Sequence, residues 1–171
     1  MEAIPLENRV FIDETGIDDE MLRDFGYSIK GVRIQTQISA IKHNRTSIIG
    51  SCVKLCDGAK TYITSSMMLK GTTNGDTFLT YLEKVLIPTL TEGQCVILDN
   101  ARIHKSKLVK ELIEEAGCRL LYLPPYSPDF NPIEHLWSAL KKNVRSLETT
   151  KEKFDTNLNL VINQMYRYES G

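Results

Sequence analysis

The chain has 171 residues, of which 42% are hydrophobic and 25% are charged, and its net charge is −1. This length and composition are typical of one folded domain and exclude a disordered chain or a small disulfide scaffold. No apolar run is long enough to cross a bilayer, and residues 1–5 lack the basic and apolar regions of a secretory signal. We therefore expect a cytoplasmic protein without a membrane partner.

Cysteine and charge patterns narrow the class further. The chain has four cysteines, and only Cys52 and Cys56 are closely spaced, so no zinc site is predicted and the thiols are expected to be reduced and mostly buried. Cations cluster in residues 30–45, 102–110 and 141–145. Such patches are able to follow a phosphate backbone, although most single charge clusters are ordinary solvated faces.

Two short apolar segments each run into an aspartate. Residues 9–13 end in Asp13 and residues 94–99 end in Asp99, and both read as buried strands whose last residue emerges at the edge of a sheet. Between them, residues 47–55 and 60–65 predict two strands joined by a turn at residues 56–58.

Two further segments complete the first part of the chain. Residues 31–41 predict a loop or a short strand. A helix is predicted to begin at residues 74–76 and to end near Pro88.

The second half of the chain alternates helix and strand. Ser106 is a suitable cap for a helix that Gly117 ends, and residues 119–123 predict another strand. Residues 124–132 form a loop that holds four of the six prolines, so it has few conformations to lose on folding.

Two helices are predicted after this loop. Asn131 suits the cap and Pro132 the first position of an amphipathic helix whose apolar stripe includes Trp137. A weaker tail helix covers about residues 151–168.

Three acids stand where a mixed α/β sheet would form a site. In such sheets ligands bind beyond the carboxyl ends of the strands, and Asp13 and Asp99 both follow apolar strands. Glu134 lies in the first turn of the helix after the proline-rich loop. We therefore expect these three side chains to face one crevice.

Carboxylates that share a crevice repel each other, at about 4 kcal/mol for two unit charges 4 Å apart near the protein surface. They stay ionised only with cations, and Mg²⁺ or Mn²⁺ takes such oxygen ligands. Two such ions would activate a water or hydroxyl and stabilise the leaving oxygen of a phosphodiester. Asp13, Asp99 and Glu134 are thus the predicted catalytic residues and metal ligands.

Each acid also has a structural interpretation. An aspartate at a strand end often forms a turn or caps a helix, and Glu134 fits a capping box with Asn131. Asp129 and Glu14 are rival acids that we expect to lie outside the metal coordination shell. Only the combination of the three acids favours a metal site.

Polar residues near the acids are candidates for supporting roles. The candidate DNA contacts are Asn100, Arg102, His104, Lys105, Lys141, Lys142 and Arg145. His104 and His135 are expected to form hydrogen bonds near the metal ligands or to lie at the surface, because hard metals prefer oxygen over imidazole.

Three blocks resemble the DDE transposases of the mariner superfamily, and most closely those of bacterial insertion sequences. The first is Phe-Ile-Asp-Glu-Thr-Gly at residues 11–16, and the second is Ile-Leu-Asp-Asn-Ala-Arg-Ile-His at residues 97–104. The third and most specific runs from Leu123 to Trp137 and contains Pro-Pro-Tyr-Ser-Pro-Asp-Phe-Asn-Pro-Ile-Glu. Asp99 and Glu134 are separated by 34 residues, as in the branch that ends in glutamate.

The resemblance implies a ribonuclease H-like fold with a five-stranded mixed sheet flanked by helices. It also implies cut-and-paste transposition, in which a metal-activated water nicks DNA at the element's ends and the freed 3′-hydroxyl attacks target DNA. The metal-binding triad carries over to Asp13, Asp99 and Glu134, with Mg²⁺ or Mn²⁺ as two ions. A homodimer on DNA is the expected assembly.

The domain expectation is one catalytic domain over residues 1–171, with residues 148–171 as a helical tail. The helix-turn-helix module that reads terminal repeats in the family is expected to be absent, and a separately encoded N-terminal half is a possible partner. Two alternatives stay open: a truncated fragment that binds DNA or a full-length transposase without transposing, and a ribonuclease H-like nuclease of another branch. The expected location is the bacterial cytoplasm, in association with the nucleoid.

Overall fold

A five-stranded sheet organises the chain. The structure is a computed structural model that describes residues 4–18, 45–54, 61–125, 127–147 and 152–166. The strands are β1 (Arg9–Asp18), β2 (Arg45–Lys54), β3 (Thr61–Lys70), β4 (Cys95–Leu98) and β5 (Arg119–Tyr122). The helices are α1 (Gly75–Tyr81), α2 (Lys107–Glu115), α3 (Ile133–Ser146) and α4 (Phe154–Met165).

The strand order is β3-β2-β1-β4-β5, which confirms the predicted five-stranded mixed sheet. The strands β1, β2 and β3 pair antiparallel, whereas β4 and β5 continue the sheet in parallel with β1. The carboxyl ends of β1, β4 and β5 therefore point toward the same edge of the sheet.

Both faces of the sheet are covered by helices, because the strands of the parallel part are apolar on both sides. Phe11 of β1 and Ile97 of β4 pack with α3 and α4 in one core. Val10 and Ile12 pack with α1 and α2 in the other. The side-chain alternation of β1 thus decides which helix layer each residue meets.

The strand β1 is longer than the sequence predicts. Asp13 was expected to end the strand, but β1 continues to Asp18, which pairs with Arg45 of β2. The prediction was wrong because the antiparallel partner β2 satisfies the backbone of a polar segment that reads locally as a loop. Asp13 still lies just beyond the last residues of β1 that pair with β4.

The predicted start of α1 and the predicted cap of α2 are confirmed. Asn74 forms a capping box with Thr77 at the start of α1. The hydroxyl of Ser106 accepts from the backbone N–H of Val109 at the start of α2, and Gly117 follows α2 with a φ of +72°. The segment from Leu82 to Thr89 continues α1 as a π-helical and then a 3-10 turn and contains Pro88.

The helix α3 begins at Ile133, one residue after the predicted start. Asn131 still accepts from the N–H of Ile133 through its side-chain oxygen, at 3.4 Å. The predicted apolar stripe is confirmed by four buried residues, which are Ile133, Trp137, Leu140 and Val144. Trp137 belongs to the core, as expected.

The remaining expectations have mixed outcomes. The strands β2 and β3 were predicted, although β3 extends five residues beyond residue 65. The tail helix is described as α4, whereas the predicted turn at residues 56–58 and the segment 31–41 lie outside the described residues. The three described cysteines are free and buried, as predicted. None of the described helices combines the length and the apolar character that crossing a bilayer requires.

A glycine in β2 sets how closely α3 approaches the sheet. Gly50 lies opposite Asp13 in the β1–β2 register. A Cβ atom on Gly50 would lie 2.7 Å from Cη2 of Trp137, closer than van der Waals contact permits. Because Glu134 precedes Trp137 by one turn of α3, the same close approach brings Glu134 toward Asp13.

Replacing Gly50 by alanine is expected to lower the free energy of unfolding by about 1–3 kcal/mol, because the indole of Trp137 is fully packed and has to shift. Urea denaturation monitored by tryptophan fluorescence measures this change. Gly75→Ala is the matched control, since no heavy atom lies within 4 Å of its added Cβ. Equal effects of the two substitutions would show that Gly50 does not control the packing of α3.

Candidate active site

Asp13 and Asp99 are neighbours because of strand register. Phe11 of β1 pairs with Ile97 of β4, and both aspartates lie two residues farther along their strands. Side chains two residues apart share a face, so both aspartates lie on the face covered by α3 and α4.

Glu134 reaches the same place from the first turn of α3. An open cleft of about 500 Å³ is lined by Asp13, Asp99 and Glu134. The segments 123–125 and 99–101, with Lys105, Ser127 and Asn131, form the rest of its wall. The structure therefore brings the three predicted acids to one cleft.

The environment of Asp13 disfavours its ionised form. Its pKa is raised to about 7, mainly because the carboxyl is buried, while a hydrogen bond from the backbone of Glu14 acts in the opposite direction. The negative charges of Glu134, Glu14 and Asp99 add to the rise. A carboxyl that resists ionisation beside other acids is typical of a site that receives a cation.

The environment of Asp99 favours its ionised form, in contrast to that of Asp13. Its Oδ1 atom accepts hydrogen bonds from Nδ1 of His104 at 2.6 Å and from the backbone N–H of Ala101 at 2.8 Å. The bond from His104 is the main cause that lowers the pKa of Asp99, against the opposing effect of burial. Asp99 is therefore an anion at neutral pH.

His104 connects Asp99 to the other face of the sheet. Its Nε2 atom lies 2.9 Å from Oε1 of Glu14, and its side chain is fully buried. Burial would lower the pKa of His104, but the bonds to Asp99 and Glu14 and their charges outweigh it and raise that pKa to about 9. Both ring nitrogens thus donate to carboxylates.

This burial corrects one prediction from the sequence. His104 was counted among the DNA contacts, but both of its ring nitrogens are occupied and none of its surface is exposed. The sequence missed its pairing with Glu14. One feature of the sequence indicated this pairing: neighbouring side chains of a strand point to opposite faces, so Glu14 lies on the face opposite to Asp13.

Two aromatic residues fix the position of His104. The ring of Phe78, from α1, lies 4.4 Å from the imidazole between centroids. The hydroxyl of Tyr122, at the end of β5, donates to the backbone carbonyl of His104 at 2.9 Å. The motifs contain neither Phe78 nor Tyr122, and only the tertiary fold brings them here.

The other predicted residues are spread around the cleft. Lys105 and Asn100 line it, and the side-chain amide of Asn100 donates to the carbonyl of Leu123. Arg102, Lys142, Arg145 and His135 are exposed, and Lys141 is half-buried. The rival acid Asp129 is exposed and is not among the residues that line the cleft. Contacts of these residues with DNA or with metal ligands stay predictions.

The chemistry of the cleft fits divalent cations. Its acids offer the hard oxygen ligands that Mg²⁺ and Mn²⁺ bind. Within the described residues, no three acidic, histidine or cysteine side chains are already grouped as a metal cage. Like charges oppose such grouping, and a divalent cation would draw the carboxylates together. Asp13, Asp99 and Glu134 are the residues that would hold it.

Known proteins share this fold. The catalytic domain of Mos1 mariner transposase matches 95% of this chain and 84% of its own, with a TM-score of 0.56 and 14% identity. A Mos1 strand transfer complex matches 95% of this chain with a TM-score of 0.63 and 17% identity, and this chain covers 56% of the Mos1 chain. The structure therefore has the ribonuclease H-like fold of the Mos1 catalytic domain, with a five-stranded mixed sheet flanked by helices.

Sequence comparison identifies the family. A family model described as DDE superfamily endonuclease matches residues 8–156, which is most of the chain. The Tcb2 transposase of Caenorhabditis briggsae is 42% identical over 59 residues, which are 33% of this chain and 22% of that protein. The chain belongs to the DDE superfamily endonucleases, and it spans only part of the length of these relatives.

The raised pKa of Asp13 predicts a stability effect. Its folded pKa of about 7 exceeds its ordinary value of 3.8. The stability it contributes is present below pH 3.8 and is lost as the pH rises through about 7. Asp13→Asn should therefore stabilise the protein at pH 8 by about 2 kcal/mol, allowing for solvent screening, and have little effect at pH 4.

Urea denaturation in EDTA at the two pH values checks this expectation. Asp76→Asn, at an exposed position in the first turn of α1, is the control and should not stabilise the protein at pH 8. An Asp13→Asn protein less stable than the wild type at pH 8 would contradict the expectation that the ionised carboxylate of Asp13 is unfavourable in the folded state.

Proposed function

We propose that this chain is the catalytic domain of a transposase that cleaves DNA strands and joins them to target DNA. The observation that carries the proposal is the convergence of Asp13, Asp99 and Glu134 on one cleft in a DDE superfamily endonuclease. Such a cleft suits phosphoryl transfer on a polynucleotide, because three carboxyl groups able to hold divalent cations line its open wall.

The names of similar proteins support this proposal. Tcb2 is a transposase, and the matching Mos1 structures include a paired-end complex with Mn. Another Mos1 structure is a paired-end complex with the left transposon end. We extend from these relatives a divalent metal requirement and DNA ends as the substrate. The chemistry of the three carboxyl groups adds the proposal of two ions of Mg²⁺ or Mn²⁺.

The residues of the chain divide the work between them. Asp99 is ionised and oriented by His104, so it presents a fixed anion to the cleft. Asp13 holds a proton up to about pH 7 and releases it when a cation competes for its oxygens. Glu134 supplies the third carboxylate from α3. Bound divalent ions would activate the attacking oxygen and stabilise the leaving one.

Basic residues around the cleft would bind phosphates. Lys105 lines the cleft directly. On α3, the side chains of Lys141 and Arg145 lie on the same flank of the helix as Glu134. This flank is next to the buried apolar stripe and does not belong to it. We propose that Lys105, Lys141, Lys142 and Arg145, with Arg102 and Asn100, position the DNA backbone beside the acids.

The finer expectations also belong to the proposal. We place the chain with the bacterial insertion-sequence branch because of the three motif blocks, and in the bacterial cytoplasm near the nucleoid. We propose that residues 1–171 form one catalytic domain that acts as a homodimer on DNA. Recognition of terminal repeats would come from a helix-turn-helix module outside residues 1–171.

Cleavage of supercoiled plasmid DNA with Mn²⁺ tests the proposed activity. Asp99→Asn and Glu134→Gln should each lower the nicking rate by a factor of about 100–1,000, because each removes several kcal/mol of charge stabilisation in the transition state. The controls are Asp76→Asn and Glu83→Gln, which make the same chemical changes at exposed positions away from the cleft.

Two outcomes would contradict the proposal. One is equal nicking by the wild type and Asp99→Asn in matched preparations. The other is preferential cleavage of an RNA–DNA hybrid over duplex DNA, which would favour the ribonuclease H-like nuclease instead.

Lys105→Ala is expected to weaken binding of duplex DNA uniformly across sequences and to reduce the slope of log affinity against log salt by about 1. The physical reason is the loss of one phosphate contact with its released counterion. Fluorescence anisotropy over a salt series measures it. Lys84→Ala, at an exposed position outside the cleft, is the control, and an identical slope for both variants would exclude Lys105 from the DNA path.

A further inference from the structure

A buried hydrogen-bonded chain runs behind the cleft. It links Glu14 on one face of the sheet to Asp99 on the other through the imidazole of His104. The side chain of His104 has no exposed surface, that of Glu14 is 19% exposed, and that of Asp99 is 48% exposed toward solvent. Exposure is thus lowest at the imidazole in the middle of this chain of bonds and highest at Asp99, the acid that lines the cleft.

The bonds to Asp99 are unequally distributed between its two oxygens. Both the imidazole of His104 and the N–H of Ala101 donate to Oδ1. Neither engages Oδ2. Two donors that converge on one carboxylate oxygen fix the plane and the rotation of the group, and no donor from the described part of the chain engages the second oxygen.

His104 is itself held from independent directions. Glu14 fixes its Nε2 end, Phe78 packs against the ring, and Tyr122 holds its backbone carbonyl. These three residues come from β1, α1 and β5. The imidazole is therefore restrained independently of Asp99, because each alternative rotamer of His104 breaks a charge-assisted hydrogen bond.

We propose that His104, held by Glu14, is a positioning residue that fixes the carboxylate of Asp99 so that Oδ2 meets the divalent cation. The inference rests on the proposed function, because it assigns Asp99 as a metal ligand. It makes Glu14 the far anchor of the site, with no contact to the metal or DNA.

Mn²⁺ affinity of the 171-residue chain, measured by calorimetric titration, tests this arrangement without any DNA cleavage. His104→Leu should weaken Mn²⁺ binding by about 10-fold or more, as loss of an outer hydrogen-bond partner does at metal sites. Electrostatics alone predicts no weakening, because an imidazole that donates hydrogen bonds to two carboxylates offers no attraction to a cation. The direction of the change therefore separates positioning from electrostatics.

Two substitutions of Glu14 form a matched pair. Glu14→Gln and Glu14→Ala remove the same charge, but only glutamine keeps an oxygen that accepts from Nε2 of His104. We expect Mn²⁺ affinity to be retained better by Glu14→Gln than by Glu14→Ala. Equal affinities of the two variants would overturn the anchoring role of Glu14.

Ile113→Ala is the control that separates a loss of protein stability from a loss of the position of the Asp99 carboxylate. Ile113 is fully buried in α2, so its truncation destabilises the core without touching the hydrogen-bonded chain. It should keep the Mn²⁺ affinity of the wild type while it is folded. If Ile113→Ala weakens Mn²⁺ binding as much as His104→Leu does at matched stability, the positioning role fails.

Asp99→Asn distinguishes the inference from the proposed function. If the wild type binds Mn²⁺, Asp99→Asn abolishes that binding and His104→Leu leaves it unchanged, only the positioning role of His104 is overturned. No Mn²⁺ binding by the wild type, or binding that Asp99→Asn leaves unchanged, would overturn the metal site itself and the inference with it.

Discussion

Electrostatic repulsion between carboxylates at one sheet edge is the constraint around which the molecule is built. The register of β1 with β4 sets Asp13 beside Asp99, and the docking of α3 adds Glu134 to the same cleft. Burial and the neighbouring charges raise the pKa of Asp13. A fold that holds anions together at this cost gains a site able to attract divalent cations.

The rest of the structure serves to hold that edge in shape. Gly50 lacks a side chain where Trp137 packs, so α3 approaches the sheet closely. On the opposite face, α1 contributes Phe78 and β1 contributes Glu14 to the support of His104. Both helix layers thus act on the same acids, one by delivering Glu134 and the other by fixing Asp99.

Much of this arrangement could be predicted from local sequence. Apolar segments ending in acids indicated β1 and β4, and helical periodicity with Asn74, Ser106 and Gly117 located α1 and α2. The extension of β1 to Asp18 could not be predicted, because its polar residues become a strand only by pairing with β2. The same limit applied to β3, which extends beyond its predicted end along its partner.

The sequence by itself determined the three acids, the strand and helix types around them and the family, because motif spacing and side-chain periodicity are local properties. Only the tertiary structure decided what His104 does. It stands close to Asp99 along the chain, yet its second partner, Glu14, is 90 residues away. A side chain's burial and partners depend on elements that meet in space, and these turned a predicted DNA contact into a support of Asp99.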